Sequence, residues 1–373
     1  MTDQDARETD DAEEIDPQVA GADVLMTGFP GFLAGRLLGE LRDREPTGRL
    51  HLLVEPRFRD RAERQMDRLE REHGEFEGGW TIHEGDITDE QLGLDAAAYE
   101  RLTDEVGVVW HLAALYDLAV DEAPAYRVNV RGTVHVLDFC EACQAFERLN
   151  YVSTCYVSGE RTGWIREDEL DEGQGHKNHY ESTKFWAEVE VQRRWESLPT
   201  VIMRPSIVVG DSETGETNKF DGPYYLFDLL ARIPDWVPIP NLGAGDAPVN
   251  LVPVDYATEA MAHLGCARGT EGSVYQLADP RPMEARELFA MAVELMDKTG
   301  PVGSVPSGVV DWAMSRGAIS DRVDMPREAL AYFDHPASWD TSHTERALEG
   351  TGIECPHLST YLETLIEYFL RHR

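Results

Sequence analysis

Short apolar segments alternate with helix-patterned ones through the first two hundred residues of this 373-residue chain, and that alternation constrains its fold more than any other feature. Ala22–Met26, His51–Val54, Thr81–His83, Val106–Leu112, Leu149–Ser153 and Thr200–Met203 read as buried strands. Between them, Phe32, Leu33, Leu37, Leu38 and Leu41 fall on one helical face. Arg57 to His73 reads as a charged amphipathic helix, and Val128 to Phe146 and Tyr180 to Arg194 carry helical spacing. Strands joined by helices imply parallel β-α-β units, hence a doubly wound α/β sheet. The rhythm stops near Gly210. Residues 211–250 are rich in Gly, Pro, Asp and Asn and read as loop. Leu251–Asp255 and Val274–Leu277 look like short strands returning to the sheet, and Leu358–Phe369 like a packing helix.

The expected organisation is a Rossmann-type domain over residues 21–210, with a returning segment at 247–280. A smaller substrate-binding lobe would comprise residues 211–246 and 281–373, including the C-terminal helix. Residues 1–20 carry eight acids and one arginine, so they read as a disordered tail. That polar start lacks the apolar stretch of a secretory leader and points to a cytoplasmic protein. No stretch approaches the roughly 18 apolar residues of a membrane span.

Charge narrows the partners. Lysine and arginine number 34 against 70 acids, a formal net charge of −36. Such a surface repels nucleic-acid backbones and anionic lipid, which leaves a small-molecule substrate as the expected partner and a homodimer as an open option. The excess also reads as adaptation to high salt, where screening over about 3 Å at 1 M removes self-repulsion. The Cys140-x-x-Cys143 pair falls in a helical pattern with no second pair to complete a zinc site, so no metal is expected.

Two constellations carry chemistry. Gly28-x-x-Gly31-x-x-Ala34 lies between a strand and a helix, where glycines let backbone N–H groups approach a pyrophosphate at the helix N-terminus. Phe29, Pro30, Phe32 and Leu33 belong to the same turn. Glu55, at the end of the second strand, can accept from ribose hydroxyls, and Asp86, followed by Ile87, can meet the adenine amino group. The second constellation is Tyr180-x-x-x-Lys184 on a helix, with Ser153-Thr154 about 26 residues earlier at a strand end. The i, i+4 spacing sets the ammonium beside the phenol and should lower its pKa from about 10 toward the working range.

Thr27-Gly28-x-x-Gly31-Phe32, Gly85-Asp86, His111-Leu112-Ala113-Ala114, Asn129-x-x-Gly132-Thr133, Ser153-Thr154, Tyr180-x-x-x-Lys184 and Arg204-Pro205 occur in that order. With these motifs the chain resembles an extended short-chain dehydrogenase/reductase from residue 22 to about 280. Ser153–Val157 and Tyr180–Glu188 resemble the male-sterility, or fatty acyl-CoA reductase, branch. The resemblance implies an NAD(P)-dependent oxidoreductase acting on a carbonyl, alcohol or acyl thioester. Thr154 would orient the substrate oxygen, Tyr180 would transfer the proton, Lys184 would serve both Tyr180 and the nicotinamide ribose, and Asn129 would support that network. Leu112, Ala113 and Ala114 would line the cofactor's path, with Pro205 and Ser206 near the nicotinamide. A nucleotide-sugar epimerase and a non-catalytic NAD(P)-binding sensor or scaffold are the alternatives. Glu55 favours NAD by repelling a 2′-phosphate, whereas Arg57 or Arg59 could clamp one; the balance leans to NAD. The aromatic set Tyr224, Tyr225, Phe227 and Trp236 would suit an apolar substrate.

The charge excess has a direct consequence. Below about 0.1 M salt the screening length reaches 10 Å or more and self-repulsion returns. Melting temperature should therefore rise between 0.1 M and 2 M KCl; an unchanged value would contradict adaptation to high salt.

Overall fold

A computed structural model of the chain describes residues 15–44, 47–237, 241–242, 246–300, 304–305 and 335–373. Seven parallel strands form the central sheet: β1 (Ala22–Thr27), β2 (Thr47–Val54), β3 (Trp80–Glu84), β4 (Val106–His111), β5 (Arg148–Val152), β6 (Thr200–Pro205) and β7 (Ser273–Leu277). Their order is β7-β6-β5-β4-β1-β2-β3. Helices α1 (Phe32–Arg44), α2 (Arg59–His73), α3 (Ala96–Glu105), α4 (Gly132–Ala142), α5 (His179–Arg193) and α7 (Val254–Cys266) cover its two faces. β4, β5 and β6 are buried along their whole length, as strands covered on both faces must be. One buried cluster joins Met26, Leu37, Leu52, Trp110 and Met203 to α7, and another joins Leu25, Val109, Leu149 and Ile202 to α3, α4 and α5.

A third cluster stands apart and is the core of the smaller lobe. It packs α6 (Tyr224–Arg232), α8 (Ala285–Leu295) and α9 (Leu362–His372) through Phe227, Leu230, Leu288, Leu365 and Phe369. The loop expected over 211–250 thus contains a helix. Its Gly and Pro content marks the turns around Tyr224–Arg232, while the apolar face is hidden in a short stretch. Tyr224 and Phe227 are core, Trp236 is 80% exposed, and neither they nor Tyr225 line the cavity described below. The aromatic set is therefore no substrate wall.

The tail boundary also moves. Residues 1–14 lie outside the described residues, as does most of 301–334 in the expected lobe. Residues 15–20, expected in a disordered tail, are packed. Ile15 bridges to Ala267, Val19 is buried, and buried Asp16 Oδ2 pairs with Arg148 Nη2 at 2.7 Å. Counting acids over a window hides the one acid that has a buried arginine to meet.

Two helix limits shift. Pro56–Phe58 form a 3₁₀ turn before α2, and the segment expected to begin at Val128 starts as a wide π-helical turn, Tyr126–Arg131. Among the described residues, no helix is long and apolar enough to cross a membrane. All five cysteines are free thiols.

Candidate active site

In this strand order the connection after β1 runs to one side and that after β4 to the other, so the sheet opens a crevice at its C-terminal edge. A cavity of about 770 Å³ lies there. Residues just past the strand ends line it: Gly28 after β1, Glu55 after β2, Gly85 and Asp86 after β3, Leu112 after β4, Ser153 after β5 and Ser206 after β6. Gly28 has φ +91°, and a Cβ there would stand 2.8 Å from the backbone of Leu112 and Ala113. A Cβ on Gly31 would lie 2.6 Å from the Gly28 carbonyl oxygen. Neither position admits a side chain, so the turn brings bare backbone to the start of α1. The first turn of α1 carries no acidic residue, although acids are abundant elsewhere, and its dipole favours an anion.

All but one of the predicted site residues line this one cavity. Gly28, Phe29, Pro30, Gly31, Phe32, Leu33, Glu55, Arg57, Asp86, Ile87, Leu112, Ala113, Ala114, Thr154, Tyr180, Lys184, Pro205 and Ser206 all line the cavity. Asn129 does not. It is buried on the wide turn before α4, accepts from the Leu115 N–H at 2.7 Å and donates to Thr183 Oγ1 at 3.0 Å. It thereby ties the chain leaving β4 to α5 next to Lys184, a positioning role. Asp86 Oδ1 accepts from the Thr88 N–H at 2.8 Å, so it shapes its own turn while lining the cavity.

Tyr180 and Lys184 differ from expectation in one respect. Asn178 caps α5 by accepting from the Glu181 N–H at 2.9 Å, which sets Tyr180 and Lys184 on one face of the first turns. Burial pushes the Tyr180 phenol above its ordinary pKa, against a smaller lowering by the neighbouring Thr154 side chain. Lys184 does not offset this, because its Nζ donates to Tyr151 Oη at 3.1 Å and to the Val152 carbonyl at 2.8 Å. A buried ammonium must satisfy its own donors first. Burial also pushes Lys184 down to about 8, against the opposing pull of Glu188.

Several contributors were not legible in the sequence. Tyr116 packs edge-on against Tyr180 with centroids 5.0 Å apart, and Lys219 Nζ lies 4.8 Å over the Tyr116 ring while pairing with Asp221 at 3.0 Å. Beneath the site, Glu188 receives Ser153 Oγ at 2.5 Å and Arg204 Nη2 at 2.5 Å, all three buried. His111 bonds Thr27 Oγ1 at 2.7 Å and Thr133 Oγ1 at 3.0 Å, and burial pushes it down to about 3, so the ring is neutral. At the outer end, both Glu55 oxygens are engaged by Arg57, Nη2 at 2.9 Å and Nε at 2.8 Å, with Arg61 also on the wall. Arg59 turns away to Glu63 and Glu84.

The residues fit a dinucleotide. The glycine cradle and helix N-terminus suit its pyrophosphate, and the buried Ser206 Oγ has no hydrogen-bond partner. A Rossmann-type sheet with this cradle and a Tyr and Lys on one helix face defines an NAD(P)-binding domain of the extended short-chain dehydrogenase/reductase class. Residues 26–261 match the family model described as male sterility protein, and the chain belongs to that family of NAD(P)-dependent oxidoreductases. It is similar to glycine betaine reductase ATRR of Emericella nidulans, 29% identical over 79% of this chain and 24% of that protein. The chain spans no more than 35% of the length of the first three curated relatives it matches. Among solved structures, it resembles the terminal R domain from the myxalamid PKS-NRPS biosynthetic pathway, 25% identical with TM-score 0.78 over 98% of this chain and 97% of that one. It also resembles a UDP-glucuronic acid 4-epimerase from Bacillus cereus, 18% identical with TM-score 0.65 over 94% and 99%, a likeness of fold alone.

Removing Arg204 would strand the Glu188 carboxylate in the interior. Arg204→Ala should lower stability by about 3–5 kcal/mol in urea unfolding, and a near-native midpoint would show that the Arg204–Glu188 pair does not hold the strand ends together.

Proposed function

We propose that this cavity reduces a carbonyl-level substrate, an acyl thioester or an aldehyde, with NADPH. The observation that carries the reading is that Thr154, Tyr180, Lys184, Pro205 and Ser206, from three separate stretches of the chain, line one cavity. The R-domain likeness along nearly the whole chain, and a relative named as a reductase, support reduction.

A bound reduced nicotinamide supplies hydride to the carbonyl carbon. Thr154 then orients the carbonyl oxygen toward the Tyr180 hydroxyl. The raised pKa suits this role: the phenol keeps its proton at neutral pH and gives it up when the oxygen becomes alkoxide-like. Lys184, anchored on Tyr151 and Val152, lines the same cavity and would hold the nicotinamide ribose there. A thioester reduced in this way becomes a thiohemiacetal, whose C–S bond breaks to release thiol and aldehyde. An aldehyde gains the same hydride and proton and becomes an alcohol.

The ribose end supports NADPH over the NAD that Glu55 alone suggested. Arg57 occupies both oxygens of Glu55, which cancels that glutamate's repulsion of a 2′-phosphate, and Arg61 adds a further positive charge on the wall.

Two measurements test this reading. Tyr180→Phe keeps the ring but removes the proton, so turnover of acyl-CoAs or aldehydes should fall about 10²- to 10⁴-fold with cofactor affinity within a few-fold. Wild-type turnover in that variant, or activity on UDP-sugars instead, would reject the mechanism. In fluorescence titrations NADPH should bind more tightly than NADH, and Arg57→Ala should erase the difference. Tighter NADH binding would return the assignment to Glu55.

A further inference from the structure

At the opposite edge of the sheet, three side chains from separate elements converge. Asp23 lies at the start of β1, His51 is on the neighbouring strand β2, and Glu105 ends α3 immediately before β4, where Val106 is the register partner of Asp23. One ligand atom from each residue lies within 4.8 Å of the others. His51 is 2% exposed, and its Nε2 is buried with no hydrogen-bond partner. That nitrogen lies 3.7 Å from Asp23 Oδ2 and 4.0 Å from Glu105 Oε2, too far for hydrogen bonds.

We propose that Asp23, His51 and Glu105 bind one zinc-class divalent cation. Two donors held about 2.1 Å from one zinc stand about 3.4 Å apart at the tetrahedral angle and farther apart as the angle widens. The observed separations therefore need only a small contraction. The surrounding contacts orient the ligands. Asp23 Oδ1 accepts from the Arg49 N–H at 2.7 Å, which leaves Oδ2 for the ion. His51 Nδ1 lies 3.0 Å from His83 Nε2; when His51 donates there, its Nε2 lone pair faces the two carboxylates. An imidazole with two carboxylates selects a borderline ion, and the outer sides of Asp23 (28% exposed) and Glu105 (42% exposed) leave room for a water ligand. Arg49 sends its guanidinium to Thr81 Oγ1 at 3.3 Å. The site lies a strand's length from the glycine turn, about 16 Å at 3.3 Å per residue, so it clamps β1, β2 and the α3–β4 junction rather than joining the chemistry.

The test is calorimetric titration of the full chain with zinc chloride, paired with cobalt(II) absorption. Wild type should bind one equivalent with a visible cobalt band and melt higher with zinc present. Asp23→Asn and the half-exposed Glu105→Gln should each weaken binding at least tenfold, while NADPH binding stays unchanged and reports an intact fold. The cobalt band should vanish in His51→Gln. Zinc binding equal in wild type, Asp23→Asn and Glu105→Gln would assign the metal to other surface acids and overturn the proposal, as would no saturable binding at all.

Discussion

Parallel strands can be joined only by crossovers, and every crossover returns the chain to the same end of the sheet. All seven strands here point the same way, so the residues just beyond six of them reach one edge. The cavity is a product of that constraint. Glycines of the β1–α1 turn, the acid after β2, the Gly-Asp pair after β3 and the hydroxyls after β5 and β6 are far apart in sequence. They meet because strand direction brings them to a common rim. The reversal of strand order at β1 and β4 then opens the crevice in which a dinucleotide can lie.

Buried charge holds that rim in register. Arg204, at the end of β6, pairs with Glu188 on α5, and Glu188 also receives Ser153 from the end of β5. Glu167 performs a similar service farther out, accepting from the Gln276 N–H of β7 and from Thr344 N–H and Oγ1. Breaking such a buried group costs far more than an exposed pair, because the charge left behind has no water. The exposed ion pairs of this acidic surface, Arg68–Glu72 or Arg166–Asp168 for example, contribute little by comparison.

Burial also sets the ionisation of two groups on the cavity wall. The phenol of Tyr180 is pushed up and the ammonium of Lys184 down, the directions in which desolvation disfavours charge on each. Tyr116 packs edge-on against the phenol and carries the Lys219 ammonium over its own ring, so a residue of the loop before α6 adds a cation to this part of the cavity wall.

The sequence by itself determined the α/β class, the seven strands of the sheet, the glycine cradle and a part of the cavity wall. Each of these depends on local periodicity or on motif spacing along one element, which neighbours in sequence express directly. Only the tertiary structure decided where charges and apolar faces found partners. The i, i+4 spacing of Tyr180 and Lys184 was legible, but not that Lys184 would turn to Tyr151 and Val152. Asp16 looked like one more tail acid until Arg148 reached it from β5, 132 residues away in the chain. Helix α6 lay hidden in a Gly- and Pro-rich stretch because its apolar face matches α8 and α9, which lie far along the chain. Pairings of this kind depend on distances that folding creates, and no local pattern encodes them.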